Sequence, residues 1–205
     1  MARRLLILGV AATLVAVPAA HADGDPASDY LITQRVFTPY QTKIPAADLE
    51  ELEGLVRDAA RQGYPIRVAL ISSDYDLGSV TVLWKQPKRY AKFLAQELAF
   101  VHKGPLLVVM PNGMGFYRVG SDPSAENALL ATIPVKPGGS GLAQSASTAV
   151  KKLAAAKGLQ LTPLKAPQSE SSHRSRDRIV IVAAVAVLLA AGLGMRALLR
   201  RRQRA

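Results

Sequence analysis

Two short segments, Ile66-Arg67-Val68-Ala69-Leu70-Ile71 and Leu106-Leu107-Val108-Val109-Met110, are apolar at nearly every position rather than at every second one. A strand that alternates can leave one face to water, but a strand apolar throughout has to be covered on both faces. Each segment follows a stretch with helical spacing. From Pro45 to Gln62, Leu49, Leu52, Val56 and Ala59 share a side that Leu55 widens. Acidic residues (Asp48, Glu50, Glu51, Glu53) fill its first half and Arg57 and Arg61 its second, as the helix dipole favours. Gly63 is placed to stop it. A second helix is predicted from Pro87 to about Val101, with Tyr90, Phe93, Leu94, Leu98 and Val101 along one side. Helices set between buried strands predict an α/β fold, a layered α/β sandwich with a central mixed sheet.

The remaining segments are read in the same way. Tyr30 to Phe37 mixes apolar and polar residues and is expected as a strand, and the polar stretch Ser72 to Ser79, with Gly78, as a loop. Asn112-Gly113-Met114-Gly115 predicts a turn, after which Phe116 to Val119 returns antiparallel. Asp122 is expected to cap a short helix that starts at Pro123 and runs to about Leu130. Ile133-Pro134-Val135 is read as extended, Pro137 to Gly141 as a loop, and Leu142 to Lys157 as a final helix.

Both ends have a different character. Arg3 and Arg4 precede the uncharged run Leu5 to Val17, and Ala20-His21-Ala22 follows in the small-residue pattern of a secretory cleavage site. Ile179 to Met195 is again uncharged and, continued through Arg196 to Leu199, matches the roughly 20 residues that cross a hydrocarbon core of about 30 Å. The arginines downstream, Arg196, Arg200, Arg201, Arg202 and Arg204, outweigh the upstream set, which places that side in the cytoplasm. The expected organisation is a signal peptide over 1–22, an extracytoplasmic α/β domain over 23–158, a stalk over 159–178, one C-terminal transmembrane helix over 179–199 and a basic tail over 200–205. On this reading the chain is a single-pass protein of the cell membrane, with its N-terminal domain outside, its C-terminus cytoplasmic and lipid as a partner through one helix.

Charge and inventory narrow the chemistry. The net charge of +11 is concentrated at the ends, since ten of the 26 basic residues lie among Arg3, Arg4, Arg174, Arg176, Arg178 and the C-terminal arginines. Between Asp23 and His173 there are 16 basic and 14 acidic residues, about +2, and no nucleic-acid partner is expected from such a balance. The chain has no cysteine, which removes disulfides and thiolate chemistry. Of its three histidines, His21 and His173 lie in the end segments and His102 is read as a helix-end residue. No glycine-rich nucleotide fingerprint, phosphate loop, zinc-protease helix or serine elbow is present. The candidate site is Ser72-Ser73-Asp74-Tyr75-Asp76, which follows a buried strand where ligands of open α/β sheets bind. Asp74 and Asp76 are the candidate metal ligands, for calcium or magnesium. Asn112, Asp29 and Asp122 are further ligand candidates, and Tyr75, Trp84 and Tyr90 a candidate aromatic rim, with core packing the stronger role for Trp84. No residue is assigned as catalytic.

The proline-led first helix, Gly63-Tyr64-Pro65 running into the first apolar strand, a helix ending in Glu97-Leu98-Ala99-Phe100, and Leu106 to Met110 together resemble the TPM domain family, over roughly Thr33 to Leu153. The resemblance implies an extracytoplasmic or thylakoid-lumen domain, often tethered by one C-terminal helix. It also implies roles linked to photosystem repair, acid phosphatase activity or assembly of membrane complexes, and divalent-cation binding by acidic residues near strand ends, for which Asp74 and Asp76 are nearest. The acidic residue often found before the first helix of that family is replaced here by Thr38-Pro39-Tyr40. The expected function is a membrane-anchored binding or assembly module of the cell envelope, with envelope or membrane-protein partners. The alternatives are a divalent-metal-dependent phosphatase and a metal- or ligand-sensing domain.

Overall fold

The computed structural model describes residues 24–165. Its sheet has four strands in sequence order: β1 (Val36–Phe37), β2 (Arg67–Leu70) and β3 (Leu106–Met110) run parallel, and β4 (Gly113–Tyr117) returns antiparallel to β3. Five α-helices, α1 (Pro26–Thr33), α2 (Ala46–Arg61), α3 (Pro87–Glu97), α4 (Ser124–Ala131) and α5 (Gly138–Ala155), flank it. Short 3₁₀ stretches occupy Asp74–Leu83 and Leu98–Phe100.

The two apolar strands are central and buried on both faces, which is why they carry no alternation. Val68, Leu70, Leu107 and Val109 face one core, completed by Leu52, Leu55 and Val56 of α2 and Val150 and Leu153 of α5. Ala69, Leu106, Val108 and Met110 face the other, completed by Leu31 of α1 and Tyr90, Leu94 and Leu98 from α3 and the turn after it. Each fully buried leucine or valine contributes about 1.5–3 kcal/mol of transfer free energy, so these layers dominate the stability of the domain. Gly115 in β4 is the point of closest approach to α3: a Cβ there would collide with the Pro87 carbonyl and the Lys88 amide. Among the described residues no fifth strand pairs with the outer edge of β4. Asn127 of α4 fills that place, with Oδ1 accepting from Phe116 N and Nδ2 donating to Phe116 O, both at 3.0 Å.

Several local expectations change. The segment read as a strand from Tyr30 is the end of α1, and only Val36–Phe37 pairs. Asp25 caps α1 by accepting from Ala27 N at 3.3 Å, and Pro26 occupies its first turn. The strand read at Phe116–Val119 begins three residues earlier, at Gly113. The glycine-rich segment before Leu142 is the first turn of α5, where Gly139 lies against Lys43 O and Gly141 against Lys136 O, approaches that a side chain would block.

The membrane readings are corrected. Among the described residues no helix is long and apolar enough to cross a membrane. The longest of them, α5, is mostly buried and exposes a polar stripe that carries Gln144, Thr148, Lys151 and Lys152. The predicted signal segment 1–22 and transmembrane helix 179–199 lie outside the described residues. A mixed sheet with flanking helices is what the structure supports. The added transmembrane helix, the single-pass topology with its outside domain and cytoplasmic C-terminus, and the lipid partner are therefore withdrawn from the fold and its setting.

Candidate functional site

The C-terminal ends of β1 and β2 open side by side, and one buried carboxylate ties together the loops that leave them. Asp76 is fully buried. Its Oδ1 accepts from Tyr40 N at 2.9 Å, in the loop after β1. Its Oδ2 accepts from Ser72 N at 2.8 Å, Ser72 Oγ at 2.9 Å and Ser73 N at 3.1 Å, in the loop after β2. Asp76 N donates back to the Ser73 carbonyl at 3.3 Å, closing the first turn of the following 3₁₀ stretch. A fully buried carboxylate with four protein donors, three of them on Oδ2, is a structural clamp closed off from solvent.

The clamp sets a line of aromatic rings. Tyr30 meets Phe37 edge-on at 5.9 Å between centroids, Phe37 meets Tyr40 at 5.7 Å, and Tyr40 meets Tyr75 at 6.2 Å. Phe37 is buried, whereas Tyr30 is 47% exposed and Tyr40 and Tyr75 are each 61% exposed. The row is thus anchored in the core at Phe37 and presents three phenol rings to a cleft of about 1030 Å³. Asp29 and Asp74, both exposed, share that cleft with Thr33 and Thr81. Neither aspartate forms a salt bridge among the described residues. Gly78, at φ +54°, lets the 3₁₀ stretch lie against Gly24 and Pro26 at the start of α1, closing the cleft on that side.

Beneath the cleft wall lies a buried pair. Tyr90 donates to Asp25 Oδ1 at 2.6 Å, and Asp25 Oδ2 is buried without a partner. Burial raises the Asp25 carboxyl from its ordinary 3.8 to about 6, against the lowering effect of the Tyr90 and backbone hydrogen bonds. The same burial, reinforced by the Asp25 charge, raises the Tyr90 phenol far above its usual range.

The predicted site residues separate. Asp29 and Asp74 meet in the cleft. Asp76 is sequestered beneath it. Asn112 lies elsewhere, donating to Lys85 O at 2.6 Å on the rim of a second pocket of about 570 Å³ beside α3. Asp122 accepts from Ser124 N and Oγ at the start of α4, within the turn that it was predicted to cap. Of the three predicted rim aromatics only Tyr75 lines the cleft: Tyr90 is fully buried, and Trp84 packs against the second core. Tyr30 and Tyr40 were not singled out by sequence. Their role depends on α1 being a helix and on the Asp76 bridge, neither of which a local pattern contains.

Among the described residues no group of three or more His, Cys, Asp or Glu could hold a metal ion. Of the two aspartates expected to hold calcium or magnesium, Asp74 is exposed and Asp76 is buried among four protein donors. The metal-dependent phosphatase and metal-sensing readings are corrected on the absence of such a group among the described residues, as is the envelope-module reading that rested on a membrane anchor. His102 stands at the opposite edge of the sheet, with Nε2 donating to Pro105 O at 3.1 Å, so it is not available as a base for Ser72. No protein-family model matches this chain, and neither a curated protein nor a solved structure matches it significantly.

Proposed function

We propose that the α/β domain is a binding module whose cleft takes an organic cation, an alkylammonium or guanidinium head. One observation carries the reading: three partly exposed tyrosine rings and two unpaired carboxylates converge on one cavity at the C-terminal edge of parallel strands. Ring faces attract weakly hydrated cations, at about 0.5–2 kcal/mol per contact depending on desolvation. Asp29 and Asp74 add a negative field that favours the same sign of ligand. The likeness to TPM domains is kept as part of this proposal, supported by the order of helices and apolar strands and by a cleft at the strand ends.

Titrations with choline and with its neutral carbon isostere, 3,3-dimethylbutanol, test the reading. Saturable choline binding is expected, with the neutral alcohol about tenfold weaker or more. Tyr75→Ala should lower choline affinity about fivefold, the equivalent of one lost ring contact of about 1 kcal/mol. Equal affinities for the charged and neutral compounds would remove the cation from the proposal.

A further inference from the structure

Among the described residues the outer edge of β4 is covered at Phe116 but not at Met114. Phe116 turns both of its main-chain groups outward, and Asn127 takes both. Along an antiparallel strand these groups alternate in direction, so Met114, two residues earlier, turns its N–H and C=O to the same outer side. No side chain among the described residues bonds Met114 there. Met114 instead lines the second pocket, of about 570 Å³, so its open edge faces space that a ligand can enter.

That pocket is walled from both faces of the sheet. On one face Pro87 lies over Gly113 and Gly115, where no side chain holds it off, and the start of α3 brings Lys88 and Arg89 to the rim. On the other face Leu130, Ile133 and Val135 continue the core that Met114 and Phe116 join. Among the described residues no Asp or Glu lines the pocket, and neither Lys88 nor Arg89 forms a salt bridge. An unpaired strand edge is a template for another strand, whose side chains point alternately to the two faces. A residue set opposite Met114 enters the side of Leu130, and its neighbours meet Lys88 and Arg89. Asn127 ends the open stretch at Phe116, which restricts the addition to a few residues.

We propose that this edge binds a short extended peptide segment, an apolar residue between two acidic ones, as an added strand. Met114 N donates to a peptide carbonyl, and Met114 O accepts from the peptide N–H. The apolar side chain fills the space between Leu130, Ile133 and Val135, and the carboxylates pair with Lys88 and Arg89. The site shares no residue with the aromatic cleft.

Amide NMR of the full chain, titrated with a capped tripeptide of glutamate, valine and glutamate, tests it. A downfield shift of the Met114 amide and slower hydrogen exchange there are expected at saturation. Methylating the valine nitrogen of the peptide removes the donor to Met114 O and should weaken binding about tenfold. Exchanging both glutamates for lysine should weaken it by a similar factor. Lys88→Glu combined with Arg89→Glu, exposed changes that suit the first turn of a helix and so leave the fold intact, should reverse that charge preference. An N-methylated peptide that binds equally well, or a charge preference that survives the double reversal, would overturn the proposal. So would a chain that sediments as a dimer with its Met114 amide already protected, since a second copy would then hold the edge.

Discussion

Asp25→Asn should take away one loss of stability that the wild-type chain suffers as pH rises. Asp25 is buried, one of its oxygens lacks a partner, and its carboxyl is raised from 3.8 to about 6. The folded chain therefore holds this proton more tightly than the unfolded chain does. The resulting stabilisation is complete below 3.8 and is lost as pH rises through about 6. Over that interval the folded state forfeits about 3 kcal/mol relative to a chain with a neutral group at this position. Asparagine retains the capping oxygen for Ala27 N and the acceptor for Tyr90, but it does not titrate. Urea unfolding of both proteins at a series of pH values gives the test. Other titrations are common to both and cancel, so the stability difference, variant minus wild type, should climb by about 3 kcal/mol between about pH 3 and pH 8. A fixed offset from the unpartnered amide nitrogen shifts the whole curve without bending it. A difference that stays flat across the range would show that Asp25 is not desolvated in the fold, and the packing of α1 over Tyr90 would have to be redrawn.

Asp76→Ala removes the acceptor for three backbone amides in the loops after β1 and β2 and should cost about 4 kcal/mol, measured by denaturant unfolding. It should also weaken choline binding, because Tyr40 loses its tether. Gly115→Ala should destabilise by about 3 kcal/mol, since the new methyl meets the backbone of Pro87 and Lys88, which cannot rotate away. Leu107→Ala, at a fully buried position of the central strand, should cost about 3 kcal/mol with no change in the choline titration. Replacing Asp29 and Asp74 together with Asn should lower choline affinity at low salt and flatten its salt dependence, which a series of titrations at rising ionic strength reads directly.

What could be read from the chain follows from where the information resides. β2, β3 and the helices before them were legible because burial on two faces, or along one stripe, writes itself into periodicity. Helix α1 was missed although its start is marked, with Asp25 as the cap and Pro26 in the first turn, because the segment after it resembles a strand in composition. Gly139 and Gly141 looked like loop residues, yet they are glycines so that a helix can begin against other backbone. The position of the cleft at the strand ends followed from topology, and so did Asp74. The division of labour between Asp74 and Asp76 did not. Two aspartates two residues apart look alike in sequence, and only the fold decides that one meets four donors and the other meets solvent.

Asn127 does for β4 what a neighbouring strand would do. An Asn127→Asp change swaps Nδ2 for an oxygen and removes the donor to both Phe116 O and Pro123 O. Two carbonyls would then confront a negative group instead of a hydrogen. With that stopper loosened, the last ribbon of the sheet would present bare main-chain groups to any neighbouring molecule, a starting point for clumping.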